Sequence, residues 1–297
     1  MIKKVILDVR KNSISEVLTL IKWSKKLGAH AYCHGGLRWE ECNRPLTNSH
    51  IERIAAITQH CHLHGVESWV WLKPGDFRYC THPTDVGQIL KNCQQYLSLG
   101  VDGIYIMFDD LHGLRSDGGH IRMSDAIAHG NLIAALYDIL GSKLVAVCMA
   151  DYYGNIGTEV GKYIDYWQAL DSKIPAEIMV TWTGKSIWNA TIENKHFPKT
   201  TRPLLLFDNF YASDSSDRHK APLQPYTGRS PDLLNQQALK TVMLNINPVA
   251  AWQFSAIAHF LSFWISPDTY QAEQVTKSIL LELGVLAMGR QYELELR

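Results

Sequence analysis

The chain has 297 residues, of which 46% are hydrophobic, and its formal net charge is +0. A neutral chain offers no basic surface to attract nucleic acid or an anionic membrane, and no apolar run reaches the roughly 20 residues that span a bilayer. We therefore expect a globular protein with no nucleic acid and no membrane among its partners. The length allows one large α/β barrel or two smaller domains.

Strand-like and helix-like segments alternate along the first half of the chain. Short runs rich in β-branched and aromatic residues predict strands at Val5–Val9, His30–Cys33, Ser68–Leu72 and within Gly100–Asp110. Helical spacing of apolar residues predicts helices at Ser13–Leu27, Asn48–His64 and Asp85–Leu99, with Ser13 as a cap and a glycine after each.

The alternation continues in the second half. We predict strands at Leu144–Met149, Glu177–Trp182, Leu204–Phe207 and Val242–Leu244, and helices at Ser124–Leu140, Glu159–Leu170, Ser186–Glu193, Pro231–Leu239, Val249–Phe263 and Gln271–Leu283. About eight strand–helix units in succession favour an α/β fold, a (β/α)₈ TIM barrel. We expect a single barrel domain over residues 1–266, with 267–297 as a C-terminal helical extension packed on it. A doubly wound open sheet is the alternative, but no GxGxxG motif follows the first strand.

Cysteine and histidine spacing bears on compartment and metal binding. The six cysteines form no CxxC pair, which suits a reducing compartment. The start of the chain, with an early Asp8, does not have a signal-peptide pattern, so we expect a cytoplasmic protein. His60 and His64 are one helical turn apart and are able to share a metal-ligand face, yet no third ligand is identified. We expect no metal and no cofactor.

Polar residues follow the predicted strands where the active site of such a barrel lies. The fourth strand ends in the adjacent carboxylates Asp109 and Asp110, which are costly to bury without partners or a function. A loop opening or a helix cap is the simpler interpretation of this pair. Other strand ends supply carboxylate, amide and aromatic groups, which together suit a sugar ring: Asp151, Tyr152, Trp182, Thr183, Asp208, Asn209, Asn245 and Asn247.

Five motifs in order resemble those of glycoside hydrolase family 84, which includes the O-GlcNAcases, bacterial β-N-acetylglucosaminidases and related hyaluronidases. They are Phe108-Asp109-Asp110, Trp182-Thr183-Gly184, Asp208-Asn209 with Asp214, the segment from Pro225 to Ser230, and Asn247-Pro248. The resemblance extends over roughly Ser68 to Gly284. It implies a (β/α)₈ barrel that hydrolyses β-linked N-acetylglucosamine with retention of configuration. The nucleophile is the substrate's own acetamide, and the intermediate is an oxazoline.

The resemblance also implies roles for individual residues. Asp109 is expected to polarise the acetamide N–H, and Asp110 to act as general acid and then as general base. The resemblance further implies a set of residues that bind a carbohydrate or glycoconjugate substrate. Cys148 and Tyr152 are expected near the acetamide, and Phe207 lies where the family usually has tryptophan. Trp182 and Thr183 belong to their own motif, Asn209 and Asp214 are expected near the pyranose or the catalytic aspartate, and Asn247 is expected at a hydroxyl.

The first two strands depart from the family. Its first-strand motif is replaced by Leu7-Asp8-Val9-Arg10, and its lysine and paired aspartates after strand two are absent from the segment Tyr32–Arg38. Asp8, Arg10, His34 or Arg38 are candidates for replacement contacts. Two alternatives stay open: a hydrolase of a different N-acylated amino sugar or sugar-like metabolite in a biosynthetic pathway, and a non-catalytic glycan-binding barrel. The oligomeric state is open.

Overall fold

The computed structural model describes residues 4–9, 13–38, 41–75, 80–109, 123–154, 164–212, 225–246 and 250–282. Within these ranges the strands are β1 (Lys4–Val9), β2 (Ala31–Arg38), β3 (Glu67–Lys73), β4 (Gly103–Met107), β5 (Leu144–Cys148), β6 (Met179–Trp182), β7 (Leu204–Asp208) and β8 (Leu239–Asn245). The α-helices are α1 (Ile14–Lys26), α2 (Asn48–Leu63), α3 (Pro83–Ser98), α4 (Met123–Leu140), α5 (Ile164–Asp171), α6 (Ala250–Ile265) and α7 (Ala272–Glu282).

The strands form one curved parallel sheet. Each strand pairs in parallel with the next along the chain, and β8 also pairs with β1, so the sheet closes into a barrel. The registers include Trp71 beside Tyr105 between β3 and β4, and Met107 beside Cys148 between β4 and β5. Because every strand runs the same way, all their carboxyl ends meet at one edge of the sheet.

Side chains alternate between two buried regions. The outer cluster fills the space between the sheet and the helices and includes Ile104, Ile106 and Phe108 of the β4 segment. The inner cluster fills the barrel and is composed of Ala31, Cys33, Trp69, Trp71, Tyr105, Met107, Ala146, Cys148, Tyr152, Leu205, Phe207 and Met243. The period of two along each strand therefore determines which side chains can face a site inside the barrel.

Local sequence signals account for several element boundaries. Ser13 caps α1 in a capping box with Glu16, and Thr47 caps α2 by accepting from the backbone of His50. Gly103 lies against the Trp69 indole, and a Cβ there would approach the ring to 2.9 Å. Glycine thus allows the large Trp69 side chain to fill the barrel next to β4.

Two predicted helices do not form. Residues 186–193 make an irregular loop in which the Asn189 side chain accepts from the backbone N–H of Ser186 at 3.0 Å and donates to the Thr183 carbonyl at 2.8 Å. These bonds satisfy the backbone without a helix. Pro231–Asn235 forms only a short 3₁₀ helix, and Leu239, predicted as its end, is the first residue of β8.

The predicted α/β architecture around a parallel sheet is confirmed, whereas a complete set of eight strand–helix units is not. In the described parts of the β6–β7 and β7–β8 connections the only helical segments are the 3₁₀ turns Asn194–His196 and Pro231–Asn235. Of the segment 267–297, residues 283–297 are not described. Its described helix α7 contacts α6 through Thr276 and His259, whose Oγ1 and Nε2 atoms are 3.2 Å apart. The boundary at residue 266 stays a prediction.

No helix in the described ranges combines the length and the apolarity needed to cross a bilayer.

Candidate active site

The carboxyl-end edge of the barrel interior brings a carboxylate and an ammonium group together. Asp109 follows β4 in the inward-facing phase of Tyr105 and Met107, and Lys73 ends β3 in the phase of Trp69 and Trp71. The Lys73 Nζ atom donates to Asp109 Oδ2 at 2.6 Å. The two side chains are 5% and 13% exposed, so this ion pair is largely shielded from water.

The backbone that carries Lys73 is fixed by two buried thiols. The Cys42 Sγ atom donates to the Lys73 carbonyl at 3.3 Å and contacts the Leu37 carbonyl at 3.2 Å. Two residues after Lys73 the chain turns at Gly75, which has a φ of +91° and accepts from Cys80 Sγ at 3.7 Å. Glycine suits this left-handed conformation. The direction in which Lys73 leaves the strand is therefore set by local structure.

A hydrogen bond across the barrel lies beneath the ion pair. The Tyr105 hydroxyl and Thr181 Oγ1 are 2.8 Å apart and connect β4 with β6. Burial raises the pKa of the Tyr105 phenol well above its ordinary value, and the Cys148 and Asp109 charges contribute to the same shift. Tyr105 is thus neutral at physiological pH and gives the site a polar, uncharged floor.

Three of the predicted substrate-binding residues line the inner wall. Cys148, Tyr152 and Phe207 belong to the inner cluster and are 3%, 9% and 6% exposed. A fourth, Thr183, is buried, and its hydroxyl donates to the Ser186 carbonyl at 3.1 Å while its backbone N–H donates to the Tyr152 carbonyl at 2.9 Å. Thr183 thus holds the loop that carries Tyr152.

Asn209 forms an amide pair at the β7 and β8 ends. Its side-chain oxygen accepts from Asn245 Nδ2 at 2.8 Å, and its own Nδ2 donates to the Ile187 carbonyl at 2.8 Å. Asn209 and Asn245 are 8% and 9% exposed. The sequence placed Asn245 at a strand end without assigning it a role, and the structure joins it to the predicted residue Asn209.

Not every predicted residue faces the site. Trp182 lies in the outer cluster, fully buried, with its Nε1 atom donating to the Gly154 carbonyl at 3.1 Å. His34, a candidate replacement contact, also leaves its strand outward, where its Nε2 atom is 2.8 Å from Ser68 Oγ. Both alternate with inward-facing neighbours, so the strand register explains their placement.

The remaining predicted site residues lie outside the described part of the chain. They are Asp110, Asp214 and Asn247, together with the candidate Arg10.

Asp208, the other aspartate at a strand end, faces away from the site. Its carboxylate accepts from Arg229 Nη2 at 2.6 Å and from Arg229 Nε at 2.8 Å, and the Tyr226 hydroxyl donates to it as well. Burial acts to raise the pKa of Asp208, but the Arg229 guanidinium and the hydrogen bonds more than offset it, so the pKa lies below its ordinary value. Asp208 is therefore a charged structural group.

Asp151 supplies a further carboxyl group just after β5. Its side chain is 5% exposed, and burial raises its pKa to about 6. It precedes the inner-wall residue Tyr152 in the chain. A carboxyl group with this pKa changes charge near neutral pH.

Two histidine side chains near the end of α2 make ordinary hydrogen bonds. His60 Nε2 is 3.0 Å from the Leu18 carbonyl, and His62 Nε2 is 2.8 Å from Asp102 Oδ2. Across the described ranges, no group of three histidine, cysteine or acidic side chains is arranged to hold a metal ion.

Comparison with known proteins identifies the family of this chain. A model of the β-N-acetylglucosaminidase family matches residues 21–293. The chain belongs to this family, a family of glycosidases. The resemblance predicted from the five motifs is thereby confirmed.

A solved structure supports the same fold for this β-N-acetylglucosaminidase family member. A mutant of the O-GlcNAc hydrolase from Thermobaculum terrenum superposes with a TM-score of 0.77 at 18% sequence identity. The alignment covers 95% of this chain and 63% of that one, so the chain spans less than two thirds of that protein's length. At this identity the likeness bears on the fold alone.

Sequence reasoning missed Lys73. A lysine that ends an apolar run and precedes proline and glycine is typical of a solvated strand end, and that pattern concealed its role. One signal was available, since Lys73 is in phase with Trp69 and Trp71 along β3. Period-two counting puts Lys73 on the same face as those tryptophans, but the sequence of β3 alone does not show that this face lies inside the barrel.

Proposed function

We propose that this chain hydrolyses β-linked N-acetylglucosamine-type substrates with retention, by a substrate-assisted mechanism in which Asp109 polarises the acetamide and Asp110 is the general acid and base. The observation that carries the proposal is the Asp109 carboxylate, 13% exposed, beside an ammonium group at the carboxyl end of β4. Family membership supports the reaction class. The sequence places Asp110 next to Asp109, where the strand ends and both carboxylates can serve one site.

The proposed first step forms the oxazoline in its N-protonated, oxazolinium form, so the acetamide proton stays on nitrogen and is still there when the ring reopens. The acetamide oxygen attacks the anomeric carbon while Asp110 donates its proton to the departing glycosidic oxygen. Positive charge develops on the acetamide nitrogen, and Asp109 stabilises that charge by accepting the N–H hydrogen bond. This role requires a charged Asp109, and the Lys73 ammonium at 2.6 Å favours the charged form.

The proposed second step returns the enzyme to its starting state. Asp110, now a carboxylate, removes a proton from water, which attacks the anomeric carbon and reopens the oxazoline to the acetamide. Two displacements at the same carbon give overall retention. No cofactor enters this scheme.

The inner-wall residues suit a pyranose and its acetamide. We assign Tyr152 and Cys148 to the acetamide, Phe207 to an apolar sugar face, and Asn209 to the ring hydroxyls or the catalytic aspartate. Aromatic rings stack on C–H faces, and amides bond to hydroxyls in fixed directions. Asp214 and Asn247 keep their proposed sugar contacts, whereas Trp182, buried in the outer cluster, and Thr183, bonded within its loop, are assigned supporting roles.

Hydrolysis of an aryl β-N-acetylglucosaminide tests the proposal. We expect turnover by the unmodified chain, and losses on the order of 10²–10⁴-fold for Asp110→Asn and about 10²-fold for Asp109→Asn. The matched control is Asp102→Asn, because Asp102 precedes the opposite end of β4 and its Oδ2 accepts from the Ser68 backbone at 3.0 Å. No turnover by the unmodified chain, or full turnover by Asp110→Asn, contradicts the proposal.

A second candidate, favoured by Arg38, is a hydrolase of a different N-acylated amino sugar or sugar-like metabolite. Arg38 pairs in register with Lys73 at the carboxyl end of β2, and its guanidinium carbon is 5.6 Å from the centroid of the Trp71 ring. The exposed Arg38 guanidinium suits a substituent that carries negative charge. Parallel assays of neutral and carboxylated N-acyl amino sugars separate the two candidates. Ligand binding without turnover, unchanged when both aspartates are replaced, would indicate a non-catalytic glycan-binding barrel.

A further inference from the structure

We propose that Lys73 is a positioning residue that holds the Asp109 carboxylate in the orientation and charge state that the reaction needs. The inference rests on the proposed function, in which Asp109 accepts the acetamide N–H. Lys73 lies on β3, outside every motif that carries the family resemblance. The inference therefore rests on the contacts of Lys73 and not on those motifs.

The contact has the geometry of a strong charge-assisted hydrogen bond. Lys73 Nζ and Asp109 Oδ2 are 2.6 Å apart, slightly closer than the roughly 2.7–2.9 Å that is usual for such bonds. The Lys73 side chain is only 5% exposed, although lysine normally extends its ammonium group into water. Its backbone is fixed by the Cys42 thiol. The ammonium group thus reaches Asp109 from a backbone position that is held in place.

Stability alone is a poor explanation for this lysine. Burying an ion pair costs several kcal/mol of desolvation for each ion, and apolar residues of similar size often serve a fold equally well. Lys73 follows Trp69 and Trp71 on a strand face that is otherwise apolar or aromatic. A methionine at position 73 would continue that face, so the charge indicates a task at Asp109.

The task follows from the proposed chemistry. An ammonium bound to Oδ2 fixes the plane of the carboxylate and lowers the free energy of its ionised form. A fixed, ionised carboxylate can accept the acetamide N–H without reorganising when positive charge develops. A carboxylate without this partner would rotate, and would take up a proton at higher pH.

Other titratable groups lie at this edge of the barrel, among them Asp151, whose pKa burial raises to about 6, and Arg38, which is in register with Lys73. The assigned signal of Asp109, described below, therefore accompanies the activity profile. The Tyr105 phenol lies on β4 itself, the Cys148 thiol on β5 and the Cys33 thiol on β2, and all three interact electrostatically with one another or with Asp109. The pKa of Tyr105 is raised well above its ordinary value by burial, so this phenol stays neutral in the assay range. Asp110 follows in the chain and is expected to set the basic limb of the pH profile, whereas Asp109 is expected to set the acidic limb.

The test compares Lys73→Met and Lys73→Arg with the unmodified chain. For Lys73→Met we expect kcat/KM on an aryl β-N-acetylglucosaminide to fall about 10²-fold, and the acidic limb of its pH profile to move up by about one pH unit or more. Lys73→Arg, which keeps the charge, should restore most of the activity and the position of the limb. The control is Lys143→Met, because Lys143 forms an exposed 3.7 Å ion pair with Asp102 and should leave both values unchanged.

A second measurement does not depend on turnover. The carboxyl signal of Asp109 in [4-¹³C]aspartate-labelled protein, assigned through Asp109→Asn, is titrated in the unmodified chain and in Lys73→Met. We expect the midpoint to rise by about one pH unit or more in the variant. If Lys73→Met is unfolded, Lys73→Gln replaces it, since glutamine keeps a hydrogen-bond donor without the charge.

The outcomes separate this inference from the proposed function. An unmodified chain with no turnover, but a midpoint that depends on Lys73, would contradict the proposed function and support the role of Lys73. Equal midpoints, or a fall in activity with an unmoved acidic limb, would overturn the inference and leave Lys73 a structural residue.

Discussion

Two buried ion pairs at the same edge of the barrel face opposite sides of the sheet. The Lys73–Asp109 pair faces the interior with side chains 5% and 13% exposed, and the Arg229–Asp208 pair faces the outer cluster with side chains 1% and 0% exposed. Both aspartates lie at or just beyond a strand end, and both stand in motifs that resemble those of the family. Sequence position alone does not distinguish them.

The partners of the two aspartates differ in chemistry. Arg229 binds both oxygens of Asp208 and donates through Nη1 to three backbone carbonyls, those of Asn189, Ala190 and Thr227. Lys73 is a point charge that contacts Asp109 Oδ2. A planar guanidinium fork binds both oxygens of a carboxylate, whereas an ammonium acts as a point charge and does not impose that bidentate geometry. The difference separates a structural carboxylate from one suited to a reaction.

Breaking the structural pair should have the largest effect on stability. Arg229→Met leaves the Asp208 carboxylate buried without its main partner, so we expect a loss of about 3–5 kcal/mol in the free energy of unfolding. Urea denaturation followed by fluorescence measures it. Lys73→Met should cost clearly less, because Asp109 is partly exposed and reaches water more easily. Equal losses would remove the distinction between the two pairs.

The comparison also shows how far sequence could predict this molecule. Alternating patterns predicted the parallel sheet, and Ser13 correctly predicted the start of α1. Asp109 lies just beyond β4, where an apolar run followed by a charged residue predicted a strand end, and its catalytic role stays a prediction. Lys73 and Trp182 were misjudged for a shared reason. Which face of a strand lies inward is set by the register with neighbouring strands, and a single strand's sequence does not contain that register.

Helix prediction failed where side chains replaced helical hydrogen bonds. Apolar spacing suggested a helix over 186–193, but Asn189 binds the loop backbone instead. Near residue 239, the Leu204 N–H donates to the Ala238 carbonyl at 2.7 Å, and this contact draws the segment into β8. Both outcomes depend on partners distant in sequence or on side-chain geometry, which propensity does not report.

Replacing Arg229 with lysine tests whether the bidentate contact to Asp208, in addition to the charge, stabilises the fold. Arg229→Lys retains the positive charge but loses the bidentate contact and the carbonyl hydrogen bonds, so we expect a loss of about 2–3 kcal/mol in unfolding free energy. Thermal unfolding monitored by circular dichroism measures the change. The reciprocal variant Lys73→Arg should be nearly neutral in the same experiment. A neutral Arg229→Lys would show that charge alone holds Asp208.

Tyr226 is the next test of the structural pair. Its hydroxyl donates to Asp208 and accepts from Trp264 Nε1 at 2.8 Å, so Tyr226→Phe removes a bond to a charged group and leaves the indole N–H unsatisfied. We expect a loss of about 2 kcal/mol. In the double variant with Arg229→Met the two losses should not add, because both act on Asp208. Strict additivity would indicate that the groups are independent.

The pH dependence of folding stability distinguishes Asp208 from two buried histidines. This test has the smallest expected effect on stability per substitution. Burial lowers the pKa of His34 to about 3 and that of His259 to about 4. Both stay neutral in the folded chain, whereas the unfolded chain takes up protons below a pH of about 6.5. Each histidine's stabilising contribution is therefore complete above about pH 6.5, and falls by about 1.4 kcal/mol per pH unit as the pH drops toward the folded pKa.

In the unmodified chain, Asp208 affects folding stability at a lower pH than the two histidines do. Its lowered pKa means that its contribution persists down to a pH of about 4 and is lost only below it. Between pH 7 and 5, the stability loss in Arg229→Met should shrink as the pH falls, because burial raises the pKa of Asp208 once its main counter-charge is removed and the carboxyl then takes up a proton. His34→Gln and His259→Gln should each reduce the slope of the unmodified chain. A loss that is the same at pH 7 and pH 5 would mean that Arg229 does not hold the pKa of Asp208 down against burial, and the ion pair would then not be what keeps this carboxylate charged.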